Sequence, residues 1–245
     1  MSSCDHDISR RDCTSGRFRR PPTADRKDLT MTRVPLLTDD EADELTKAFW
    51  DGCTELIGRV PNSMRVYGRV PKVAMWMLPF LASLQREGAG GRLDGRTKEL
   101  VVLKTSLTNA CEYCVTHNTS LGQATGITMA EIEVLDGDYA GSDVLSDRDK
   151  AVVRWAEAVT GNTADRDNEA FEALRQWFDD DEIVELTWLS AMFNMLNRVH
   201  DSLHLELEPH QEVNLIRRSA RVPEEKVLAY VRTMVEIAER EQVAS

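Results

Sequence analysis

No stretch of this 245-residue chain stays apolar for the ~18 residues that a membrane-crossing helix needs. Arg10-Arg11 is followed by no apolar segment of the kind a twin-arginine export signal requires. Positive charge is scarce as well: 30 Lys and Arg face 42 Asp and Glu, a formal charge of −12, whereas a surface that neutralises phosphates needs a basic surplus. Nucleic acid and membrane surfaces are therefore not expected partners. Cysteine is sparse, five residues with Cys4 and Cys13 near the N-terminus, and an odd number so placed is not the framework of a secreted disulfide scaffold. Strand-type alternation is nearly absent. These absences point to a soluble protein, expected in the cytoplasm. Its 42% hydrophobic content suffices for a packed core without disulfide or metal staples.

The first 30 residues carry seven Lys or Arg and five Asp among Ser, Gly and Pro, with too few large apolar side chains to offset the entropy of ordering. They read as a disordered tail, taken as 1–33, followed by one domain over 34–245. Met31, just before "TRVPLLTDDEAD", is a candidate translation start.

Beyond residue 36, capping residues recur before runs in which apolar side chains follow a 3.6-residue period. Thr38 with Glu41 and Thr128 with Glu131 form capping-box patterns, and Ser146 and Asn168 read as simple N-caps. "VPKVAMWMLPFLASL" (70–84) is apolar nearly all round, as a buried helix is, and Pro79 is expected to kink it or end its first part. Trp76, Met75, Met77, Trp188 and Met192 are expected to line the core, and Cys53 to be inert. "TKELVVLKTSL" (97–107) reads as a helix, "TNA" as its break, and a second helix begins near Cys111 and closes at Gly126. The fold class is all-α, about ten helices. A faint echo between "KELVVLKTSLTNACEYC" and "VELTWLSAMFNMLNRVH" pairs Glu99 with Glu185 and Cys111 with Asn197, leaving open two degenerate helical halves.

The segment "ACEYCVTHN" (110–118) concentrates the chemistry. A sulfur in the first turn of a helix lies near unpaired N–H groups and the positive dipole end, which favour thiolate over thiol. Helical rotation stacks Asn118 over Cys111 and sets His117 to one side, nearer Cys114. The pair reads as a redox dithiol, half a zinc site, or two small buried hydrophobes. A Cys₂His₂ zinc site needs His200 and His204, whose HxxxH spacing suits one helix face, and forms only if the long helix "DEIVELTWLSAMFNMLNRVHDSL" folds against the dithiol. Asn197-Arg198 are candidates to close the pocket or hold a carboxylate. Tyr113, inside the CxxC, is placed to shape access. The acidic run Asp179 to Glu182 complements a helix start rather than forming a calcium loop.

These residues resemble a known family, the alkylhydroperoxidase D-like and carboxymuconolactone decarboxylase proteins. Its shared segment runs Glu, eleven residues, Cys-x-x-Cys, three residues, His. Glu99, Cys111 and Cys114 match it, and the surrounding sequence is similar over roughly residues 34 to 210. The resemblance implies an all-helical homo-oligomer, a trimer or a larger ring, in which Cys114 attacks a hydroperoxide, Cys111 resolves the sulfenic acid to a disulfide, and Glu99 relays protons. A thiol reductant or reductase protein would be the partner, with no metal or organic cofactor required. Helix-end physics alone nominates Cys111 as the more acidic thiol. Asn118 stands where the family has histidine, and an amide shuttles no proton near neutrality. His117 is the expected replacement; Glu99 through water, or His200 or His204 from the long helix, are the others. Two further functions stay open: a lyase acting on a small lactone or acid, and a non-catalytic dithiol sensor.

Overall fold

The computed structural model describes residues 32–244, and over these the chain is helical without a β-strand. Most of the expected tail, 1–33, lies outside the described residues. In order come α1 (Glu44–Ile57), α2 (Asn62–Tyr67), α3 (Pro71–Gln85), α4 (Gly95–Thr108), α5 (Glu112–Ala124), α6 (Met129–Asp136), α7 (Asp147–Thr160), α8 (Asn168–Arg175), α9 (Asp180–Leu203), α10 (His210–Val213), a 3₁₀ turn (Asn214–Ser219) and α11 (Glu224–Ala244). None of these helices is long and apolar enough to cross a membrane.

Capping chemistry explains most starts. Thr128 and Glu131 form the expected capping box on α6, and Ser146 accepts from the Asp149 N–H on α7. Asp179 and Glu182 form another box on α9, using the acidic run as helix-start charge. Two expectations are corrected. Thr38 and Glu41 do bond to each other, but in a turn, and α1 begins only at Glu44 behind the N-cap Asp43. On α8 the cap is Asp167, one residue before Asn168, because its carboxylate reaches the Ala170 N–H.

Helix α4 sits in the middle, packed against α5, α7 and α9, while α1 packs against α3 and α11. Its Leu100, Val101, Val102 and Leu103 are all buried, and so are Lys98, Glu99, Lys104 and Thr105. Charges so deep are tolerated only when paired. Lys98 meets Glu185 at 3.1 Å, Lys104 meets Glu157 at 2.9 Å, and Thr105 Oγ1 shares a hydrogen bond with Ser190 Oγ at 3.0 Å. Most of these partners lie on α9 and α7, so polar pairing fixes the register of the three helices.

Helix α3 runs unbroken through Pro79. It is not wholly buried: Trp76 is 57% exposed, and Trp188 on α9 is 56% exposed, whereas Met75 and Met192 are in the core. The expectation of two core tryptophans is therefore corrected. Both join an outward apolar stripe with Val73, Phe80, Val184 and Met195, in which Phe80 and Trp188 meet edge to face with centroids 5.6 Å apart. Cys53 is buried and its thiol is pushed well up by burial, which leaves it unreactive.

The sequence echo acquires a structural difference. "VELTWLSAMFNMLNRVH" is one uninterrupted piece of α9, whereas its counterpart is broken between Thr108 and Glu112, with Ala110 at φ 57°. Cys111 thus caps a helix, while Asn197 lies inside one.

Gly52 on α1 faces the ring of Tyr230 on α11, and an added methyl group there would overlap that ring. Gly52→Ala is expected to lower stability by ~1–3 kcal/mol, the usual range for overpacking a core, read as a lower urea midpoint at unchanged slope.

Candidate active site

The break before α5 sets the position of the dithiol. Ala110 takes a left-handed conformation at φ 57°, uncommon for a residue with a Cβ. The Cys111 N–H then turns back to the Ser106 carbonyl at 3.0 Å. Cys111 becomes the N-cap of α5 and Cys114 falls in its first turn. With Val66, Tyr113 and Leu205 they form a small core cluster separate from the main one.

Both thiols are free, and Cys111 donates to Cys114 with the sulfurs 2.9 Å apart. His200 of α9 brings its Nδ1 to 3.0 Å from the Cys114 sulfur. Burial alone would raise the Cys114 pKa. It is outweighed by hydrogen bonds to Cys111, His200 and Asn197, so Cys114 is held at about 5. Cys111 moves the opposite way, because the bond it gives and its burial both favour keeping its proton. The lower proton affinity thus lies at Cys114, in the first turn of α5, and not at the N-cap Cys111 that helix position alone favours.

The expected role of His117 is corrected. Its Nδ1–H donates to the Tyr113 carbonyl at 2.7 Å, and its Nε2 lies 2.8 Å from Glu208 Oε2, at an angle poor for a hydrogen bond. Both ring nitrogens thus face Tyr113 and Glu208, and His200 is the histidine bonded to the Cys114 sulfur. His200 stacks on Tyr67 and meets Tyr113 edge to face, while its Nε2 is buried with no hydrogen-bond partner.

Asn118, in the family histidine's position, makes a structural chain. Its Nδ2 donates to the Cys114 carbonyl at 2.7 Å, and the Gln85 amide donates both to Asn118 Oδ1 at 2.8 Å and to Glu99 Oε1 at 2.9 Å. Glu99 therefore reaches the dithiol through two amides rather than directly. Burial pushes its pKa up to about 8, against the pull of Arg86, Gln85 and Lys98, so it holds its proton at neutral pH.

Glu208 behaves oppositely. After α9 ends at His204, in a left-handed conformation, the chain returns and Glu208 Oε1 accepts from the Tyr113 hydroxyl at 2.8 Å and from the Asn62 N–H. Despite burial, His117 beside it and the Asn62 N–H hold it down at about 2. No motif in the sequence marks Glu208; only the chain reversal after α9 brings it in.

Cys114, His117, Asn118, Tyr113 and His200 all line one small cavity of about 60 Å³, with Gln85, Ser63, Arg59 and Arg86, none of which the motif marks, and apolar Leu81, Phe193, Leu196 and Ile216. Cys111 is wholly buried behind Cys114. Asn197 is buried and bonded to Ser106 and Asn109, and Arg198 is exposed and folded back onto Asn194, so Arg198 does not serve the pocket. For a metal, the ligand atoms of Cys111, Cys114 and His200 lie within 4.8 Å of one another. The long helix does fold against the dithiol, yet it delivers His200 and not His204, so among the described residues the group has three zinc-type ligands instead of four.

Comparison with known proteins follows the same lines. The model of the carboxymuconolactone decarboxylase family matches residues 71–158, a span that holds Glu99, Cys111 and Cys114. The uncharacterized protein YnjA of Escherichia coli (strain K12) is 25% identical over 148 residues, 60% of this chain and 80% of YnjA. ATU0492 of Agrobacterium tumefaciens, a protein of unknown function with a suggested antioxidant-defence role as AhpD, is 26% identical with a TM-score of 0.52, covering 58% of this chain and 96% of that one. The alkylhydroperoxidase AhpD core of an uncharacterized peroxidase-related protein from Ralstonia eutropha JMP134 shares the fold at a TM-score of 0.64 and 20% identity, over 76% of this chain and 96% of that one.

The network around the sulfur predicts the titration of Cys114. Alkylation at Cys114 is expected to be pH-independent above about pH 6 and to fall as the pH drops through about 5. In Cys111→Ala and His200→Ala the midpoint moves upward. A wild-type midpoint near that of an ordinary thiol, ~8.5, would contradict this.

Proposed function

As this chain is a member of the alkylhydroperoxidase D-like and carboxymuconolactone decarboxylase family through residues 71–158, we propose that it is a thiol-dependent oxidoreductase that reduces hydroperoxides through Cys114 and Cys111. The observation that carries this reading is a cavity-facing sulfur held at about 5 by Cys111 and His200, with the second thiol 2.9 Å behind it.

The Cys114 thiolate attacks the outer oxygen of the hydroperoxide, the O–O bond breaks, and the alkoxide leaves. His200, whose Nδ1 faces the sulfur, supplies the proton that makes it an alcohol. Cys114 is now a sulfenic acid. The Cys111 sulfur attacks it, the S–S bond forms, and the hydroxyl departs as water with the Cys111 proton. An external dithiol returns the pair to its reduced state, being oxidised to its own disulfide. Glu99 acts by position: it holds Gln85, which holds Asn118, which holds the first turn of α5. The outward stripe of Trp76, Phe80 and Trp188 supports self-association, since apolar surface of this kind marks interaction sites.

A second reading, a lyase for a small lactone or acid, has one observation in its favour. The His117–Glu208 pair adjoins the same cavity and needs no thiol for acid–base work.

With dithiothreitol as reductant, the wild type is expected to consume an organic hydroperoxide and Cys114→Ser to be inactive, while Cys111→Ser given peroxide without dithiothreitol should stop at a sulfenic acid that dimedone traps. His200→Ala should lose ~10²-fold or more, the worth of general acid–base help. Activity surviving in the double Cys→Ser variant would favour the lyase, and a reversible disulfide without peroxide turnover the sensor. For assembly, Trp76→Glu with Trp188→Glu is expected to lower the sedimenting mass with helicity retained; an unchanged mass would remove the stripe from the interface.

A further inference from the structure

Two arginines line the dithiol cavity, and neither is accounted for by the proposed peroxide chemistry. Each closes a helix: Arg59 follows the left-handed Gly58 that ends α1, and Arg86 caps the C-terminus of α3. Helix C-termini favour cations, which explains why the fold tolerates them there. Their burial is severe, with Arg86 2% and Arg59 8% exposed.

Their donors are poorly used. Nε and Nη1 of Arg86 and Nε of Arg59 have no hydrogen-bond partner, and Arg59 Nη1 makes only a long bond of 3.4 Å to the Ile57 carbonyl. A buried guanidinium with open donors is costly unless an anion or other acceptor meets it. The neighbouring carboxylates do not fill that role. Glu99, the acid whose charge acts on Arg86, holds its proton at neutral pH with a pKa of about 8. Glu208, which acts on Arg59, already has one oxygen against the Tyr113 hydroxyl and the Asn62 N–H and the other against His117. The two cations also repel each other, since Arg59 lowers the affinity of Arg86 for its proton. Leu81, Phe193, Leu196 and Ile216 supply an apolar part of the same wall.

We propose that Arg59 and Arg86 form a carboxylate subsite, so that the substrates of this pocket are small apolar acids whose carboxylate the guanidiniums hold while the reactive end meets Cys114. A guanidinium offers a planar fork that matches a carboxylate's two oxygens, and the apolar wall accommodates the short chain between. The inference rests on Cys114 being the reactive sulfur of the proposed function, but its test needs no peroxide turnover.

The test compares alkylation of Cys114 by iodoacetate and by iodoacetamide, followed by mass spectrometry of the peptide that contains it. In both, the thiolate displaces iodide; only iodoacetate carries the carboxylate, which a bare thiolate repels. The iodoacetate-to-iodoacetamide rate ratio of the wild type is expected to exceed that of 2-mercaptoethanol, and to fall about tenfold or more in Arg86→Met, the scale of a lost charge-assisted hydrogen bond. Arg86→Lys, which keeps the charge but not the fork, should fall between. Taking the ratio cancels any change in thiolate content. A wild-type ratio equal to that of the free thiol overturns the proposal, even if the peroxidase assay succeeds. Should neither reagent reach Cys114, thermal melting decides. Butyrate but not butyramide should raise the wild-type Tm, with the effect lost in Arg59→Met and Arg86→Met; equal effects of the two overturn it.

Discussion

A negative charge on Cys114, a residue only 3% exposed, is the constraint around which the site is organised. Water cannot solvate it, so protein groups must converge on one sulfur. One comes from the same turn of helix, Cys111, and two come from α9, His200 and Asn197. The sequence-local part of this arrangement is cheap, because an N-cap and a first-turn residue lie side by side. The non-local part depends on the register of α9 against α4. That register is fixed by Lys98 with Glu185 and by Thr105 with Ser190, polar pairs that cannot slip without leaving a buried charge unmatched.

The two buried carboxylates show how environment rather than identity sets proton affinity. Glu99 and Glu208 are both glutamates in a dry setting. Glu99 receives one amide hydrogen bond and is dominated by burial, which leaves it protonated at neutral pH. Glu208 faces the His117 imidazole and accepts a backbone N–H, which hold it ionised. Neither acid lines the cavity; the two guanidiniums that do, Arg59 and Arg86, feel the charge of Glu208 and Glu99 respectively.

Several of the sequence signals were local and survived folding. The capping box at Thr128, the break at "TNA", the closure of α5 by Gly126 and the dithiol at a helix start all follow from side chains bonding to backbone within a few residues. Signals that needed a neighbour failed. Apolar content placed Trp76 and Trp188 in the core, but composition cannot say which face of a helix is covered. His117 was chosen over His200 for its closeness in sequence to Cys114. That very closeness lets its ring bond to the Tyr113 carbonyl one turn back, and His200 is the histidine bonded to the sulfur.

The sequence by itself determined the all-helical architecture and the identity of the two thiols, because helix periodicity, caps and a three-residue spacing are properties of contiguous chain. Tertiary structure alone decided which histidine serves the sulfur, that Glu208 returns to the site, and that Arg59 and Arg86 share its wall. These groups lie from 28 to 94 residues away from Cys114. Only tertiary packing, which brings the residues after α1 and α3 and one face of α9 to the cavity beside α5, and the reversal after His204 put such distant groups within reach of one another.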